Sequence, residues 1–569
     1  MRQPAKESGR AFGSFMDHEK TERAVPSGGA KLWLRRAVIP AALCLAAAFV
    51  VITLVSKSSF LYPFNDWVDA QWYMSMGHGI VDGKVPYRDL FEQKGVLIYM
   101  LFAFAYLIGG TSFIGVWLLE IVFAAAFLFL SYRIGRLYFT RKVCLLLIVP
   151  ESLLTYGAAA FALGGGAVEE YCLPLLSYGL LVFLRCVREA RGPRRTETVL
   201  LGVFAACIFW IKYTILVFYA VLVVFFFVDR LMRKDGKGAA VLVCLFLAGL
   251  AAASLPWLVY FAVNGALDDL WQVYILDNFL YASAGGVNVL PRMLERMLEN
   301  FFLSVLFLAA LAAFMFCSEV APCYRVGILL AAVLLFVAQG VIGKQYVYYY
   351  LVLAVFIPVG IYGLYRMARY CLHALRRAWA APSARQKARI FPSARGAMYG
   401  DADEDLFSDT SARLQRVRFS RAVCIGVLAL ALAVGGSLLF GNCTSELFLP
   451  PQTYPQTAVA ERIEQEGGGV LLSYKMYDYG FYSACDQSPG FYYFAQNNFN
   501  RKDFPQLFEG QESYVTEARP DFVVTERSVY EEEKDTLLSR YEAIGEYSYR
   551  HVENNYDIRD LQFVLLARR

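Results

Sequence analysis

Acidic, basic and aromatic residues crowd into one short stretch of the sequence, ahead of the second long apolar run. Asp66 and Asp69 stand three residues apart, so on a helix they would share one face. Tyr87, Arg88 and Lys94 follow. A carboxylate can take a proton from a hydroxyl group, while lysine and arginine can hold an anionic leaving group. The stretch therefore predicts a reaction in which one partner loses a proton and another leaves as an anion.

Three more charged residues stand at the ends of apolar runs or inside them: Glu169, Glu170 and Lys212. Adjacent carboxylates at the mouth of a membrane span are costly unless they are solvated, paired or bound to a ligand. Each residue also has a structural interpretation. The two glutamates could be solvated loop acids, Lys212 could be a turn residue, Asp69 could cap a helix, and Lys94 could snorkel at a membrane surface.

Other candidate groups are weaker. The Tyr346–Tyr350 cluster fits an aromatic belt or a binding site. The four histidines are scattered, so no histidine-rich metal site is visible. Metal dependence stays open. The twelve cysteines form no C-x-x-C pair, and a disulfide between Cys443 and Cys485 is left open.

The elements that must position these residues are apolar helices. Of 569 residues, 58% are hydrophobic, and the mean hydropathy is +0.43. Many apolar runs approach the roughly 20 residues that a membrane-spanning helix needs. The sequence predicts an α-helical polytopic membrane protein with about eleven transmembrane helices and interfacial helices in the first outer loop. The predicted spans are 37–55, 113–131, 143–160, 171–187, 198–211, 213–228, 238–263, 301–317, 325–342, 346–365 and 422–441.

Loop charge sets the predicted direction of these spans. Basic loops lie in the cytoplasm by the positive-inside rule, which also places the N-terminal tail, 1–36, inside. The apolar stretch Val96–Gly109 has only 14 residues, so we expect it to stay on the outer face and to extend the first outer loop over 56–112. The run 198–228 is too long for one span, and a hairpin with Lys212 at its outer turn is expected.

The chain divides into a transmembrane domain, 37–441, and a soluble domain, 442–569. The transmembrane domain includes a long basic loop, 366–421, expected to be cytoplasmic and without regular structure. The soluble domain carries 21 acidic and 12 basic residues, which favours the extracytoplasmic side. A small α/β domain is expected there. Its predicted strands are 469–473, 521–525 and 562–567, and its predicted helices are 458–466 and 531–542.

The first outer loop resembles that of polyprenyl-phosphate-dependent glycosyltransferases of the GT-C fold. This group includes family 39, the protein O-mannosyltransferases and the bacterial aminoarabinose transferase of lipid A. The matching pattern is Gly83…Pro86-Tyr87-Arg88-Asp89-Leu90-Phe91…Lys94-Gly95…Tyr99. Gly95 departs from the common proline, and the Glu169-Glu170 pair departs from a Thr-Asp-like segment. No outer-loop histidine clearly matches the metal ligand of the aminoarabinose branch, although Glu92 lies where a ligand could be.

The resemblance implies an inverting membrane glycosyltransferase. It would move a sugar from a polyprenyl-phosphate carrier to a hydroxyl acceptor on the outer face of a bacterial plasma membrane, with a cell-envelope polysaccharide, a glycolipid or a protein as acceptor. The implied roles fall into three groups. The catalytic acids are Asp69, Glu169 and Glu170; the donor-phosphate ligands are Lys94, Arg88 and Lys212; the other substrate-binding residues are Tyr87, Asp66 and Tyr346.

Two other classes of function remain open. A lipid or glycan transporter or flippase would also have many spans, and a catalytically silent assembly partner would share the fold. Transporters often carry an internal repeat and interrupted helices near the middle of the membrane. This sequence shows no convincing repeat, and its charges lie at the outer ends of spans, which favours the enzyme. No feature indicates a nucleic-acid partner.

Overall fold

A computed structural model describes residues 34–283, 289–316, 321–341, 346–387, 411–496, 498–554 and 557–569. The chain is mostly helical, and a four-stranded sheet lies at its C-terminal end. The predicted fold class, a helical polytopic membrane domain followed by a small α/β domain, is confirmed.

The membrane domain is built from apolar helices of ten residues or more. These are α1 (Ile39–Val55), α2 (Val68–Val81), α3 (Val96–Gly109), α4 (Ile114–Gly135), α5 (Arg141–Tyr156), α6 (Val168–Arg188), α7 (Arg195–Lys212), α8 (Val217–Met232), α9 (Gly236–Val263), α10 (Val289–Glu299), α11 (Phe301–Phe316), α12 (Pro322–Val341), α13 (Ile357–Lys387) and α14 (Ser411–Phe440). A 3₁₀ helix, Val347–Phe356, leads into α13.

Within the described residues, 7 helices are long and apolar enough to cross a membrane, or 8 if the bent pair α10–α11 is one span. The stretch Arg195–Met232 enters that count as one helix of 38 residues. The helix contacts show that it is two antiparallel helices. The predicted total of about eleven spans stays a prediction.

The break falls at Lys212, where the backbone is extended (φ −153°, ψ 98°). Lys212 ends α7 and meets Glu169 at the start of α6, so α7 and α6 are antiparallel. Phe226, near the end of α8, packs on Phe183, near the end of α6, so α8 and α6 run in the same direction. The chain therefore turns back after Lys212, as the predicted hairpin requires.

Helix α3 has the bounds that the sequence predicted. The Gly95 N–H donates to the carbonyl of Ile211 at the end of α7 (3.2 Å). Near its other end, Ala105 packs so closely on Gly115, at the start of α4, that a Cβ on Gly115 would lie 2.0 Å from the Ala105 carbonyl oxygen. The helix therefore runs from the end of α7 to the start of α4.

The segment expected to be an irregular loop, 366–421, differs from that expectation. Helix α13 continues through Lys387, and α14 begins at Ser411. Both extensions are rich in arginine, and the first is also rich in alanine; both residue types favour helix. The middle of this segment, 388–410, lies outside the described residues. Cys443 and Cys485 are not joined by the disulfide that the sequence left open.

The soluble domain contains one sheet in the order β1-β2-β4-β3. Its strands are β1 (Leu471–Ser473), β2 (Phe522–Glu526), β3 (Tyr541–Asn554) and β4 (Asp557–Arg568), with β1 parallel to β2 and the other pairs antiparallel. Its longer helices are α15 (Pro455–Gln465) and α16 (Pro505–Thr516), each of which begins at a proline, whose fixed φ suits a first helical turn.

The predicted helix 531–542 is only partly correct. Two short helices, Arg527–Glu532 and Lys534–Leu538, cover most of 531–538, but β3 begins at Tyr541. Strand β3 pairs along its length with β4. That long-range pairing, which local helix propensity does not reveal, decides the conformation.

Candidate active site

Asp69 lies in the first turn of α2 and faces a cavity of about 280 Å³ between the membrane domain and the soluble domain. We call it the acid cavity, because two carboxylates and one lysine line it. Its walls are Val68, Asp69, Trp72, Tyr73, Glu92 and Lys94 from the membrane domain, and Tyr477, Gln496 and Asn498 from the soluble domain.

The Asp69 carboxylate is half-buried and held by tyrosine hydroxyls. The Tyr348 hydroxyl donates to Asp69 Oδ2 at 2.9 Å, and the Tyr73 hydroxyl lies 3.5 Å from the same oxygen. Both contacts fix the direction of the carboxylate. A carboxylate held in this way at a cavity wall can accept a proton from a bound hydroxyl group.

A second cavity, of about 500 Å³, lies between helices of the membrane domain. We call it the cation cavity, since two lysines and no acidic residue are among its lining residues. These are Gln93, Lys94, Ile211, Lys212, Tyr213, Thr214, Tyr274, Asn278, Ala338, Gln339 and Tyr349. Lys94 lines both cavities, so it stands where they approach each other.

The cation cavity also holds polar atoms that lack partners among the described residues. The side-chain oxygens of Gln93 and Gln339 are buried without a hydrogen bond, as is the hydroxyl of Thr214. Buried polar groups in proteins are nearly always hydrogen-bonded, so such atoms point to a ligand or water. The Thr214 hydroxyl can donate to an anion, and each glutamine amide carries a donor NH₂ group beside its oxygen.

Lys212 is fixed at this cavity by two contacts. Its ammonium group lies 2.5 Å from the Glu169 Oε1 atom and 3.2 Å from the centre of the Tyr349 ring. Glu169 is fully buried, and a buried charge needs a partner of this kind. The structure thus brings Glu169 to the cation cavity through Lys212.

Glu170 points to a different place, because neighbouring residues on a helix face different directions. Its Oε2 atom accepts a hydrogen bond from the Gly166 N–H (3.2 Å), and Glu120 lies nearby, accepting from the Ser56 hydroxyl (2.6 Å). The backbone folds round these carboxyls through Gly164–Gly166, all with positive φ, which glycine adopts readily. Glu170 is not among the residues that line either cavity.

Glu92 and Tyr87 both form hydrogen bonds to the backbone of Lys94 and hold it in place. The Glu92 carboxylate accepts from the Lys94 N–H (2.7 Å) and from the Tyr99 hydroxyl, and its Oε1 lies 3.8 Å from Lys94 Nζ. The Tyr87 hydroxyl donates to the Lys94 carbonyl (2.6 Å), and Tyr87 holds a strained backbone with φ +69°. Backbone strain of this kind often occurs at functional sites.

Whether the site could bind a metal ion depends on how its possible ligands are grouped. Within the described parts of the chain, no three His, Cys, Asp or Glu side chains are grouped so that they could hold a metal ion. Glu92, the candidate ligand from the sequence, is bound instead to the backbone of Lys94 and to Tyr99. These residues do not fit a metal centre.

Arg88 lies away from both cavities. Its guanidinium binds the neighbouring Asp89 (2.8 Å) and the carbonyl of Asn264 (2.8 Å), and its side chain is 40% exposed. It therefore joins the first loop to the end of α9. The structure does not bring it to Lys94 or Lys212.

Asp66 lies in a buried ion cluster that joins the two domains. Lys57 Nζ lies 2.6 Å from Asp66 and 2.8 Å from Glu446, and His551 Nδ1 lies 2.6 Å from Asp66. The Tyr549 hydroxyl also donates to Asp66. Burial alone would raise the pKa of Asp66, but Lys57 and His551 outweigh it and hold that pKa well below its usual range.

The tyrosine cluster that the sequence left open reaches both cavities. The Tyr346 hydroxyl donates to Asn498 Oδ1 (2.8 Å), Tyr348 binds Asp69, and the Tyr349 ring lies beside Lys212. These contacts favour a site role over a simple aromatic belt. Sequence reasoning missed Asn498, Gln496 and Tyr477, because they lie in a different domain and carry no motif.

The fold has counterparts among solved structures. It is similar to ArnT from Cupriavidus metallidurans bound to undecaprenyl phosphate, with a TM-score of 0.56 and 14% identity. The match covers 94% of this chain and 98% of the ArnT chain. The apo state of the same ArnT gives a TM-score of 0.56 and 14% identity over 95% of this chain and 98% of that one.

A third structure, the oligosaccharyltransferase of Archaeoglobus fulgidus in the apo form, has a TM-score of 0.48 and 12% identity over 89% of this chain and 71% of that chain. No family model and no curated protein matches the chain. The chain is a multi-pass membrane protein of the GT-C fold, as the first outer loop suggested.

Proposed function

We propose that this protein is an inverting membrane glycosyltransferase that moves a sugar from a polyprenyl-phosphate carrier to a hydroxyl acceptor. One observation carries the proposal: Lys94 lines both a cavity with two cations and a cavity with the Asp69 carboxylate. The anionic leaving group and the group that takes the proton would therefore act on opposite sides of one lysine.

The donor phosphate would bind in the cation cavity. Lys94 and Lys212 supply the positive charge there, and the lining residues include no acid that would repel an anion. Cations that are already in position stabilise charge as it develops on a leaving group. The ArnT structure bound to undecaprenyl phosphate supports a lipid-linked donor.

Asp69 would act as the general base. The acceptor oxygen attacks C1 of the sugar, its proton passes to the Asp69 carboxylate, and the bond from C1 to the phosphate oxygen breaks. The electron pair of that bond leaves with the polyprenyl phosphate. Attack from the side opposite the leaving group inverts the anomeric centre.

The other predicted residues take supporting roles in this proposal. Glu169 holds Lys212, and Glu92 and Tyr87 hold Lys94. Tyr346 reaches the acid cavity through Asn498. In this proposal three predicted residues would take structural roles, because they line neither cavity: Asp66, Arg88 and Glu170.

The acceptor would bind on the extracytoplasmic face, where the predicted topology places the soluble domain. A bacterial plasma membrane is the proposed location. The acceptor class would be a cell-envelope polysaccharide, a glycolipid or a protein, each of which offers hydroxyl groups.

The test uses the purified full-length protein in lipid nanodiscs. It is incubated with short-chain polyprenyl phosphates that carry mannose, glucose, galactose, N-acetylglucosamine or arabinose, together with an envelope extract as acceptor. Mass spectrometry then measures the polyprenyl phosphate that is released. We expect release from at least one donor. No release from any of them would contradict the proposal and favour a transporter or a silent assembly partner.

A further inference from the structure

We infer that the acid cavity is a saccharide-binding site whose selectivity the soluble domain sets, with Asn498 as its main specificity residue. This inference rests on the proposed function, because the sugar in question is the one that is transferred. The ligand class is a pyranose or furanose with free hydroxyl groups and no negative charge of its own.

The first argument is the origin of the cavity walls. Asp69 and Lys94 come from the first loop of the membrane domain, whereas Tyr477, Gln496 and Asn498 come from the soluble domain. A ligand beside Asp69 therefore touches both domains. The soluble domain is part of the site and not merely a cover above it.

The second argument is the fixed orientation of Asn498. Its Oδ1 atom accepts a hydrogen bond from Tyr346 of the membrane domain (2.8 Å) and another from Tyr477 of the soluble domain (3.1 Å). An amide carries an acceptor oxygen at one end and a donor NH₂ group at the other. The two hydroxyls, one from each domain, hold the amide in one orientation at the cavity wall.

The third argument is the kind of surface that surrounds Asn498. The aromatic rings of Trp72, Tyr73 and Tyr477 line the same cavity, and Trp72 packs on Phe494 of the soluble domain at 4.6 Å between ring centres. Aromatic walls with a few placed polar groups are typical of small-molecule sites. The rings suit the C–H face of a sugar, and amides and carboxylates suit its hydroxyl groups.

Charge narrows the ligand class. Asp69 and Glu92 supply two carboxylates, and Lys94 supplies one ammonium group, so the lining is net acidic. The two carboxylates would repel a negatively charged ligand inside this cavity. A uronic acid or a phosphorylated sugar is therefore disfavoured in this cavity, while its neighbour, the cation cavity, accepts the phosphate.

The test measures binding of simple sugars, separately from catalysis. Saturation-transfer NMR on the nanodisc-embedded full-length protein is performed with methyl glycosides of mannose, glucose, galactose and N-acetylglucosamine, and with methyl glucuronide. We expect at least one neutral glycoside to bind and the glucuronide not to bind. Asn498→Ala should weaken that binding about tenfold, the effect of losing one well-placed hydrogen bond.

Two further variants keep this test decisive. Asn500→Ala is the matched control, since Asn500 is exposed, binds Asp503 and does not line the cavity, and it should bind as the wild type does. Tyr477→Phe keeps the ring but removes a hydroxyl that orients Asn498, so it should weaken binding even if Asn498→Ala misfolds.

Three results would overturn the inference: no neutral glycoside binds the wild type, the glucuronide binds best, or both Asn498→Ala and Tyr477→Phe bind as the wild type does. Glycoside binding without any release of polyprenyl phosphate would contradict the proposed function and leave the saccharide site supported.

Discussion

The two cavities that Lys94 separates differ in charge and in construction. The cation cavity is enclosed by the membrane domain alone and is lined by two lysines without an acid. The acid cavity lies between two domains, and two carboxylates line it with the shared lysine. In the proposed function, this difference separates the place for an anionic leaving group from the place for a proton acceptor.

The two cavities also differ in which domains form their walls. Helices and the first loop of the membrane domain form the cation cavity. The site proposed for the polyprenyl phosphate carrier therefore belongs to the membrane domain alone. The soluble domain contributes Gln496 and Asn498 to the acid cavity. A change in that domain could alter the choice of sugar without disturbing the carrier site, which would allow one fold to serve several substrates.

The largest expected effect is on the acid side. Asp69→Asn removes the proton acceptor while keeping the shape and the hydrogen bond from Tyr348. The rate of sugar transfer should fall about 10³-fold, as is typical of the loss of a general base. Asp82→Asn, at the end of the same helix and outside both cavities, is the control and should keep its rate. Full activity in Asp69→Asn would contradict the base assignment.

Replacing the shared lysine should affect both sides unequally. Lys94→Ala removes a cation from the donor phosphate, and charged hydrogen bonds contribute about 1.5–3 kcal/mol, so use of the donor should weaken about 10- to 100-fold. The KM for the acceptor should change less. Steady-state kinetics with each substrate varied in turn measures the two effects. The control is Lys237→Ala, at an exposed position at the start of α9, which should change the kinetics of neither substrate. Equal effects of Lys94→Ala on the donor and the acceptor would argue against the phosphate role.

The adjacent glutamates sharpen the comparison at a smaller scale. Glu169→Gln leaves Lys212 without its carboxylate partner, so the lysine should shift and donor use should weaken about tenfold. Glu170→Gln should retain about the wild-type rate, because that side chain faces Glu120 and not a cavity. The same donor-release assay measures both variants. A larger loss in Glu170→Gln would reverse the assignment.

The smallest expected effect concerns the joint between the domains. The Ser75 hydroxyl donates to the buried Asp478 (2.8 Å), and burial raises the pKa of Asp478 to about 6. Ser75→Ala should lower stability by about 1 kcal/mol. Thermal unfolding of the purified protein, with the exposed Ser539→Ala as control, measures the change.

The sign of the pH dependence follows from the raised pKa of Asp478. A carboxyl group with a raised pKa favours the folded state at low pH, below the unfolded value near 3.9, and this contribution is lost as the pH rises through about 6. Ser75 lowers that pKa, so Ser75→Ala should destabilise the protein more above pH 6 than below pH 4. A pH-independent loss would contradict this account of the joint.

Much of the fold could be predicted because apolar runs of membrane length carry a strong signal. The bounds of Val96–Gly109 and the turn at Lys212 followed from length and from a single charge. Strand β3 could not be predicted, because its pairing with β4 is a long-range contact that local propensity does not show. The helical extensions at Lys387 and Ser411 were missed because neither has an apolar periodicity.

The candidate site could be predicted only in its local part. Asp69 and Lys94 stand in one motif, and the structure brings them to one cavity. Which of Glu169 and Glu170 meets Lys212 depends on the rotation of α6, which the sequence did not fix. Asn498 was out of reach of the motif, since only the docking of the soluble domain brings it beside Asp69.

An experimental structure of the protein with a bound polyprenyl phosphate tests the central claim most directly. We predict that the phosphate lies in the cation cavity, within about 3 Å of the ammonium groups of Lys94 and Lys212, with Asp69 on the opposite side of Lys94. A phosphate bound away from both lysines, or one inside the acid cavity beside Asp69, would contradict the separation of charge on which the proposed function rests.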